Sequence, residues 1–210
     1  MKSRFACAVA FAAALLAAPA QGATLVTSGS GNTLTLLGAT GVDVDGVLFD
    51  VSFEDGTCIA LFDGCDAPGD FAFTTVGAAR IAAQALLDQV LIDVFDDIPS
   101  RTRGCDDVGL CGILVPYEFR VRDAGFFLLE EFLFAEALNR DDGSMTSGVD
   151  QVRTGFEDVD EDLAQSMTSA LAVFTPAAAA VVPLPAAGWL LLAGIGSLGL
   201  IGCCRPGHRA

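Results

Sequence analysis

The acidic residues of this chain are confined to its middle, and no other feature of the sequence constrains the fold as strongly. All 27 Asp and Glu residues lie between Asp43 and Asp162, whereas the basic residues of 23–176 are seven arginines and no lysine. The middle therefore carries a net charge of −20, and long apolar stretches stand on either side of it. This distribution predicts a single acidic domain between two apolar targeting segments.

Residues 1–22 have the three parts of a secretory signal peptide. Lys2 and Arg4 precede fourteen apolar residues, 5–18, and small residues follow that allow cleavage after Ala20 or Gly22. A helix of fourteen residues spans about 21 Å, which is shorter than the roughly 30 Å hydrocarbon core of a bilayer. We therefore expect a cleaved signal that uses the Sec machinery and signal peptidase, not a membrane anchor.

The C-terminal stretch is long enough to cross a membrane. Residues 186–204 include nineteen positions without a charge, and a helix of that length spans about 28 Å. Trp189 lies near one end of the stretch, and Arg205 and Arg209 follow the other. Because basic residues favour the cytoplasmic side, the pattern predicts a type I topology in the inner membrane with the acidic domain outside.

A short motif precedes this stretch; it consists of Val182, Pro183, Leu184, Pro185 and Ala186. Together with the apolar span and the basic end, it makes 182–210 resemble the VPLPA variant of the PEP-CTERM sorting signal. The family's compact arginine run is diluted here to two arginines and one histidine. The resemblance implies recognition by an exosortase-type membrane peptidase, removal of the helix, and release to the surface or exopolysaccharide matrix of a Gram-negative bacterium. The two prolines fit this role because they hold the backbone extended, and 176–181 is an alanine-rich spacer.

The domain between the targeting segments, 23–175, has patterns of both strand and helix. It is predicted to be α+β, an antiparallel sheet with one main helix on a face. The expected strands are 33–37, 46–53, 112–121 and 168–174, and the expected helix is 77–94 with Thr74 or Thr75 as its N-cap; 126–138 fits either a strand pair or a helix. In 112–121 we expect Tyr117, Phe119 and Val121 to share one side. Four segments, 50–58, 61–66, 71–75 and 84–90, also resemble ectodomains joined to such sorting tails, which have no established activity.

Four cysteines lie in the exported part: Cys58, Cys65, Cys105 and Cys111. An even number of cysteines in an oxidising compartment predicts two disulfides, and four cysteines can be paired in three ways. We favour Cys58 with Cys65 and Cys105 with Cys111, which close short loops rich in glycine and aspartate. Zinc fits less well, because the spacings are wider than those of zinc sites and the domain has no histidine.

The domain lacks the residues of several kinds of enzyme. The only histidine of the chain, His208, lies in the tail, and 23–175 contains no lysine. These absences exclude Ser-His-Asp, Cys-His and Schiff-base chemistry within 23–175. The net charge of −20 argues against nucleic-acid binding, which needs basic patches. We predict a protein that is not an enzyme. A small carboxylate-based hydrolase using Glu118, Glu130 or Glu131 is a distant alternative.

Calcium is the most plausible ligand chemistry for so acidic a domain, and no other cofactor is expected. The candidate ligands are Asp43, Asp45, Asp158, Asp160 and Asp162. Neither group fits the EF-hand loop, and solvated acidic loops are the simpler interpretation. The sequence therefore predicts an exported surface or extracellular-matrix protein; a calcium- or carbohydrate-binding extracellular module is the alternative. An aromatic platform would favour sugar binding, but the domain has one tyrosine and no tryptophan.

Overall fold

The computed structural model describes residues 22–141 and 149–178, which form one sheet with short helices on both faces. The strands are β1 Thr24–Ser28, β2 Thr35–Val44, β3 Val47–Glu54, β4 Leu110–Asp123, β5 Leu128–Arg140, β6 Gln151–Asp158 and β7 Ser169–Pro176. The α-helices are α1 Cys58–Leu61, α2 Val76–Gln89 and α3 Val94–Asp97. This part of the chain is α+β and mostly sheet. None of its helices has the length and apolarity needed to cross a membrane.

The sheet is mixed, which corrects the prediction of a wholly antiparallel one. Its strand order is β1-β2-β3-β7-β4-β5-β6, so the last described strand lies in the middle. β7 is antiparallel to β3 but parallel to β4, with Gly112 opposite Ser169 and Leu114 opposite Leu171. Hydrophobic alternation reports which face of a strand is buried and says nothing about the direction of the strand.

Two hairpins account for four of the strands. β2 and β3 are joined by Asp45 and Gly46, whose φ angles of 53° and 82° are the positive values that a two-residue type I′ turn requires. β4 and β5 form a longer hairpin, in which Asp123 pairs with Leu128. The segment 126–138, which fitted two kinds of element, therefore belongs to a turn and a single strand.

The helix α2 covers one face of the sheet, which we call the helix face. The Ala78 N–H donates to Thr75 Oγ1 at 3.2 Å, so the predicted N-cap is confirmed at Thr75. The helix ends at Gln89, five residues before the predicted end. Val90 leaves helical geometry with φ −122°, Asp93 has φ 54°, and a separate helix, α3, starts at Val94. The core beneath α2 is formed by sheet residues that include Phe53, Ile113, Val115, Ala135, Ala137 and Ala172.

The opposite face, which we call the disulfide face, is covered over part of its area by α1 and by short 3-10 turns at Pro68–Asp70 and Leu163–Gln165. The core on this face is smaller and separate from the first. It contains Cys58, Phe62, Cys65, Phe71, Leu114, Phe132, Phe134, Val159, Leu163 and Leu171. The domain therefore buries two cores, one on each side of the same sheet.

A β-bulge in β4 changes which side chains share a face. The register with β5 shifts between Pro116 and Glu118. As a result Tyr117 packs in the core of the helix face, whereas Phe119 packs against that of the disulfide face. The expectation that Tyr117, Phe119 and Val121 share one side is therefore wrong. Proline has no N–H for the ladder and is tolerated at such bulges.

Candidate functional site

Both predicted disulfides are present. Cys58 bonds to Cys65 and Cys105 to Cys111, and all four sulfurs belong to buried residues. The first closes α1 against the core of the disulfide face. The second joins Cys105, in the loop before β4, to Cys111, the second residue of β4; the next residue, Gly112, donates its N–H to the Thr168 carbonyl at 2.7 Å, beside the start of β7. The first bond therefore holds a short irregular cover, and the second holds the loop before β4 to the strand itself.

Near the β4–β5 turn, two arginines and an aromatic ring enclose one carboxylate; we call Arg120, Arg122, Glu131 and Phe156 the arginine clamp. Arg120 contacts Glu131 Oε2 through Nε at 2.8 Å and Nη2 at 2.7 Å. Arg122 contacts Oε1 through Nε at 2.7 Å and Nη2 at 2.6 Å. The Glu131 side chain is 0% exposed, and the guanidinium carbons of Arg120 and Arg122 lie 4.9 and 5.8 Å from the Phe156 ring centroid. Each guanidinium thus binds one carboxylate oxygen and stacks near an aromatic face.

The clamp fixes the ionisation of Glu131. The hydrogen bond from Arg122, opposed by loss of solvation and reinforced by Arg120, lowers the pKa of this carboxyl. A general acid in glycoside hydrolysis needs the opposite shift, a raised pKa. Glu130 points to the other face of the sheet, because successive strand residues alternate, so Glu130 and Glu131 cannot flank one scissile bond. Glu118 is exposed on β4.

Two of the five acidic residues considered for calcium, Asp43 and Asp162, accept hydrogen bonds from backbone N–H groups. Asp43 Oδ1 accepts from the Gly46 N–H at 2.7 Å within the β2–β3 turn. Asp162 Oδ1 accepts from the Ala164 N–H at 3.1 Å and so caps a 3-10 turn. Asp158 and Asp160 line one depression of about 360 Å³ together with Glu130. Within 22–141 and 149–178, no three side chains of His, Cys, Asp or Glu are placed to hold a metal ion.

A groove of about 320 Å³, lined by both apolar and charged side chains, lies on the disulfide face, where no helix covers the sheet. Asp50, Ser52 and Glu54 of β3 line it because their neighbours Val51 and Phe53 are directed into the core of the helix face. Arg103 pairs with Glu54 at 2.9 Å, and Asp50 Oδ1 accepts from the Gly41 N–H at 3.0 Å. The groove therefore offers charged and hydroxyl groups, and its lining includes no aromatic side chain.

Asp55 is a carboxylate that the sequence did not single out. Its Oδ1 is buried and has no hydrogen-bond partner among the described residues. Loss of solvation raises the pKa of Asp55, the positive charge of Arg103 opposes this, and nearby carboxylates that include Asp106 add to it. Gly104, with φ 83°, lies so close that a Cβ there would collide with the Asp55 carboxylate. In the sequence, the only signal of this contact is a glycine, Gly104, close to Asp106 and Asp107.

Outside the cores, the turn of the β4–β5 hairpin carries three consecutive exposed apolar residues, Phe126, Phe127 and Leu128, which we call the apolar tip. Such residues are normally accepted singly on a surface, whereas a contiguous group marks a site of interaction. In the sequence these residues fall within the segment 126–138, whose pattern fits two kinds of element and indicates no surface role.

The residues expected to direct sorting are outside the part of the chain that the structure describes: the motif Val182, Pro183, Leu184, Pro185 and Ala186, and the topology anchors Trp189, Arg205 and Arg209. Comparisons of the chain with known protein families, with curated proteins and with solved structures found no match.

Proposed function

We propose that this protein is an exported surface or extracellular-matrix protein, without enzymatic activity of its own, that is released from the inner membrane by an exosortase-type peptidase. The signal peptide of 1–22 would deliver the acidic domain across the membrane, and 186–204 would hold it there until cleavage near Val182–Ala186. The observation that carries the proposal is the pair of buried disulfides in the domain. Disulfides form and persist in oxidising compartments and are rare in the cytosol.

The surface of the domain supports an extracytoplasmic role. A lysine-free domain with a net charge of −20 stays soluble through self-repulsion and avoids nucleic acid and anionic lipid. The carboxylate that is most completely enclosed, Glu131, is bound by two arginines and stabilises the hairpin. The alternative function, an extracellular carbohydrate-binding module, would have its ligand in the groove beside Asp50 and Glu54.

Intact mass of the protein recovered separately from membranes and from the medium tests the proposal. We expect the released form to begin after Ala20 or Gly22, to end near Ala186, and to be lighter by about 4 Da than the fully reduced chain, since each disulfide removes two hydrogens. Peptides containing Trp189 in the extracellular fraction, with no shorter form, would contradict it.

Variants in the motif sharpen this experiment. Pro183→Ala with Pro185→Ala should shift the protein to the membrane fraction, because the segment loses the restriction that keeps it extended for a peptidase. Pro176→Ala, at the end of β7, is the matched control and should leave the distribution unchanged. Equal release of all three forms would show that the motif does not direct cleavage.

A further inference from the structure

The apolar tip exposes far more apolar surface than an ordinary turn. Phe126 is fully exposed, and Phe127 and Leu128 are 60% and 67% exposed. The turn is held by its own hydrogen bonds, from the Ala124 N–H to the Phe127 carbonyl at 3.0 Å and from the Gly125 N–H to Asp123 Oδ1 at 2.7 Å. The rings therefore project from an ordered turn that does not bury them against the domain.

The tip lies at the end of the sheet from which the chain leaves the domain. β7 is parallel to β4, so Pro176, the last residue of β7, and the β4–β5 turn are at the same end; we call it the exit end. Beyond the paired Leu114 and Leu171, β4 continues for nine residues and β7 for five. Allowing one residue for the bulge, the tip projects past the exit by roughly 10 Å at about 3.3 Å per residue.

Other apolar residues lie at the exit end. Val47 and Leu48 follow the β2–β3 turn and are exposed, and the Ala177 N–H donates to the Leu48 carbonyl at 2.9 Å. Nine further residues, 177–185, separate β7 from the uncharged span 186–204. A chain of nine residues reaches at most about 30 Å. A membrane that holds 186–204 is therefore within reach of the exit end.

The charges around the tip select the kind of lipid surface. Arg120 and Arg122 share the single carboxylate of Glu131, which leaves a net charge of only +1 near the tip. Asp123 and Glu130 flank the tip and outweigh this charge, and the domain has no lysine. Anionic headgroups are attracted by basic clusters, whereas apolar and aromatic side chains partition into the interface of zwitterionic lipids as well.

We propose that the apolar tip is a membrane-contact site that inserts Phe126 and Phe127 into a zwitterionic lipid–water interface while the chain is still anchored. The contact turns the exit end of the domain toward the bilayer. This inference rests on the membrane stage of the proposed function, which supplies the anchor at 186–204.

The test uses the full chain in phosphatidylcholine vesicles that contain a photoactivatable phosphatidylcholine, followed by mass spectrometry of the labelled peptides. We expect lipid adducts on the peptide that contains Phe126 and Phe127. The internal control is the opposite end of the sheet, where Val108 and Met167 are exposed by 71% and 62%. These residues precede β4 and β7, and we expect them to remain unlabelled.

Paired variants separate the tip from general hydrophobicity. Phe126→Ser with Phe127→Ser should lower labelling of the tip peptide by about fivefold or more, since two large apolar side chains no longer enter the interface. Val108→Ser with Met167→Ser should leave it unchanged. The native chain provides a measurement that needs no variant: added anionic lipid should reduce tip labelling at low salt, and NaCl should restore it by screening.

Flotation of the vesicles distinguishes the two proposals. If the full chain floats but lipid labels both ends equally, or neither end, the membrane-contact site is wrong and the anchor stands. Cross-linked dimers through the tip, in place of lipid adducts, would overturn it in favour of contact between copies of this chain. If the chain does not float, the membrane stage of the proposed function fails and this inference fails with it.

Discussion

The two faces of the sheet are covered in different ways. On the helix face a single helix of 14 residues, α2, packs across β2, β4, β5 and β6. On the disulfide face the cover is a four-residue helix, α1, with 3-10 turns and the bond between Cys58 and Cys65. A helix satisfies its own backbone hydrogen bonds, so it can cover a sheet without a cross-link. An irregular cover lacks that internal support and depends on caps, turns and covalent restraint.

The side chains of the two cores reflect this difference. Most of the buried residues of α2 are alanines, which let the helix approach the sheet closely. Among the residues that the structure describes, four of the ten buried residues of the disulfide face are phenylalanines, against four of 26 on the helix face, and ring centroids are 5.7 Å apart in both the Phe62–Phe71 and the Phe132–Phe134 pairs. Large rings bury much apolar area per residue, which suits a cover made of few residues. We therefore expect the core on each face to be well packed, and we expect the two covers to be held in place by different interactions.

The largest expected change in the free energy of unfolding comes from removing one buried phenylalanine ring on each face. Phe53 on the helix face and Phe132 on the disulfide face are both 0% exposed. Phe53→Ala and Phe132→Ala should each reduce the free energy of unfolding by about 3–5 kcal/mol, through lost burial and the cavity that remains. Urea unfolding followed by far-UV circular dichroism measures both. A loss below about 1 kcal/mol for Phe132→Ala alone would show that the cover of the disulfide face is not a packed core.

Removal of a disulfide is expected to have the next largest effect. Cys58→Ala with Cys65→Ala should reduce stability by about 2–3 kcal/mol in the chain-entropy account of a short loop. Hydrogen exchange should increase most in α1, while α2 keeps its protection. Cys105→Ala with Cys111→Ala is the matched pair of similar loop length. Thiol counting on Cys58→Ala should find one free thiol more than in the native protein, and release of Cys105 or Cys111 would contradict the local pairing.

Two threonine caps provide a smaller and closely matched test. Thr75 caps α2 and Thr57 caps α1, each through a 3.2 Å bond from a backbone N–H to Oγ1. Thr75→Ala should cost about 1 kcal/mol, the usual value for an N-cap. Thr57→Ala should cost less, because the disulfide also holds the short helix. Thr57→Ala should also be measured in the variant that lacks the Cys58–Cys65 bond. If it costs the same stability with and without that bond, the disulfide does not support the cover.

The elements that were predicted well are those whose signal is local. The stripe of small and apolar residues in α2, the alternation in β3 and the close spacing of the cysteines all lie within one segment of chain. β1 and β6 were missed because both are edge strands. Their residues are mostly exposed on both faces, so the sequence has no alternation to detect.

Features that depend on contacts between residues far apart along the chain could not be predicted from the sequence. The parallel pairing of β7 with β4 joins segments more than fifty residues apart. In the arginine clamp, Arg120 meets Glu131 only because the β4–β5 register places them opposite each other. A shift of one residue in that register would send the side chains to different faces. The individual charges were visible in the sequence, but their pairing required the register.

Asp55 stands where β3 leads into the cover of the disulfide face, and its electrostatics oppose those of Glu131. Loss of solvation raises the pKa of Asp55, whereas the hydrogen bonds of the clamp lower the pKa of Glu131. A carboxyl with a raised folded-state pKa destabilises the native state when it is ionised. That penalty is complete above the raised pKa and disappears as pH falls toward the ordinary value.

The smallest expected effect is therefore a gain in stability. Asp55→Asn removes the charge and should stabilise the protein at neutral pH by less than about 1 kcal/mol, because water still reaches part of the side chain. The gain should shrink as pH falls through the raised pKa, when native Asp55 also becomes neutral. Glu131→Gln is the control of opposite sign: it should destabilise at neutral pH, and its deficit should begin to decrease as pH falls below the ordinary carboxyl pKa and disappear below the lowered pKa of Glu131. Thermal unfolding between about pH 3 and pH 8 follows both variants across the usual range of carboxyl titration. A pH-independent gain for Asp55→Asn would show that its effect comes from packing beside Gly104 and not from charge.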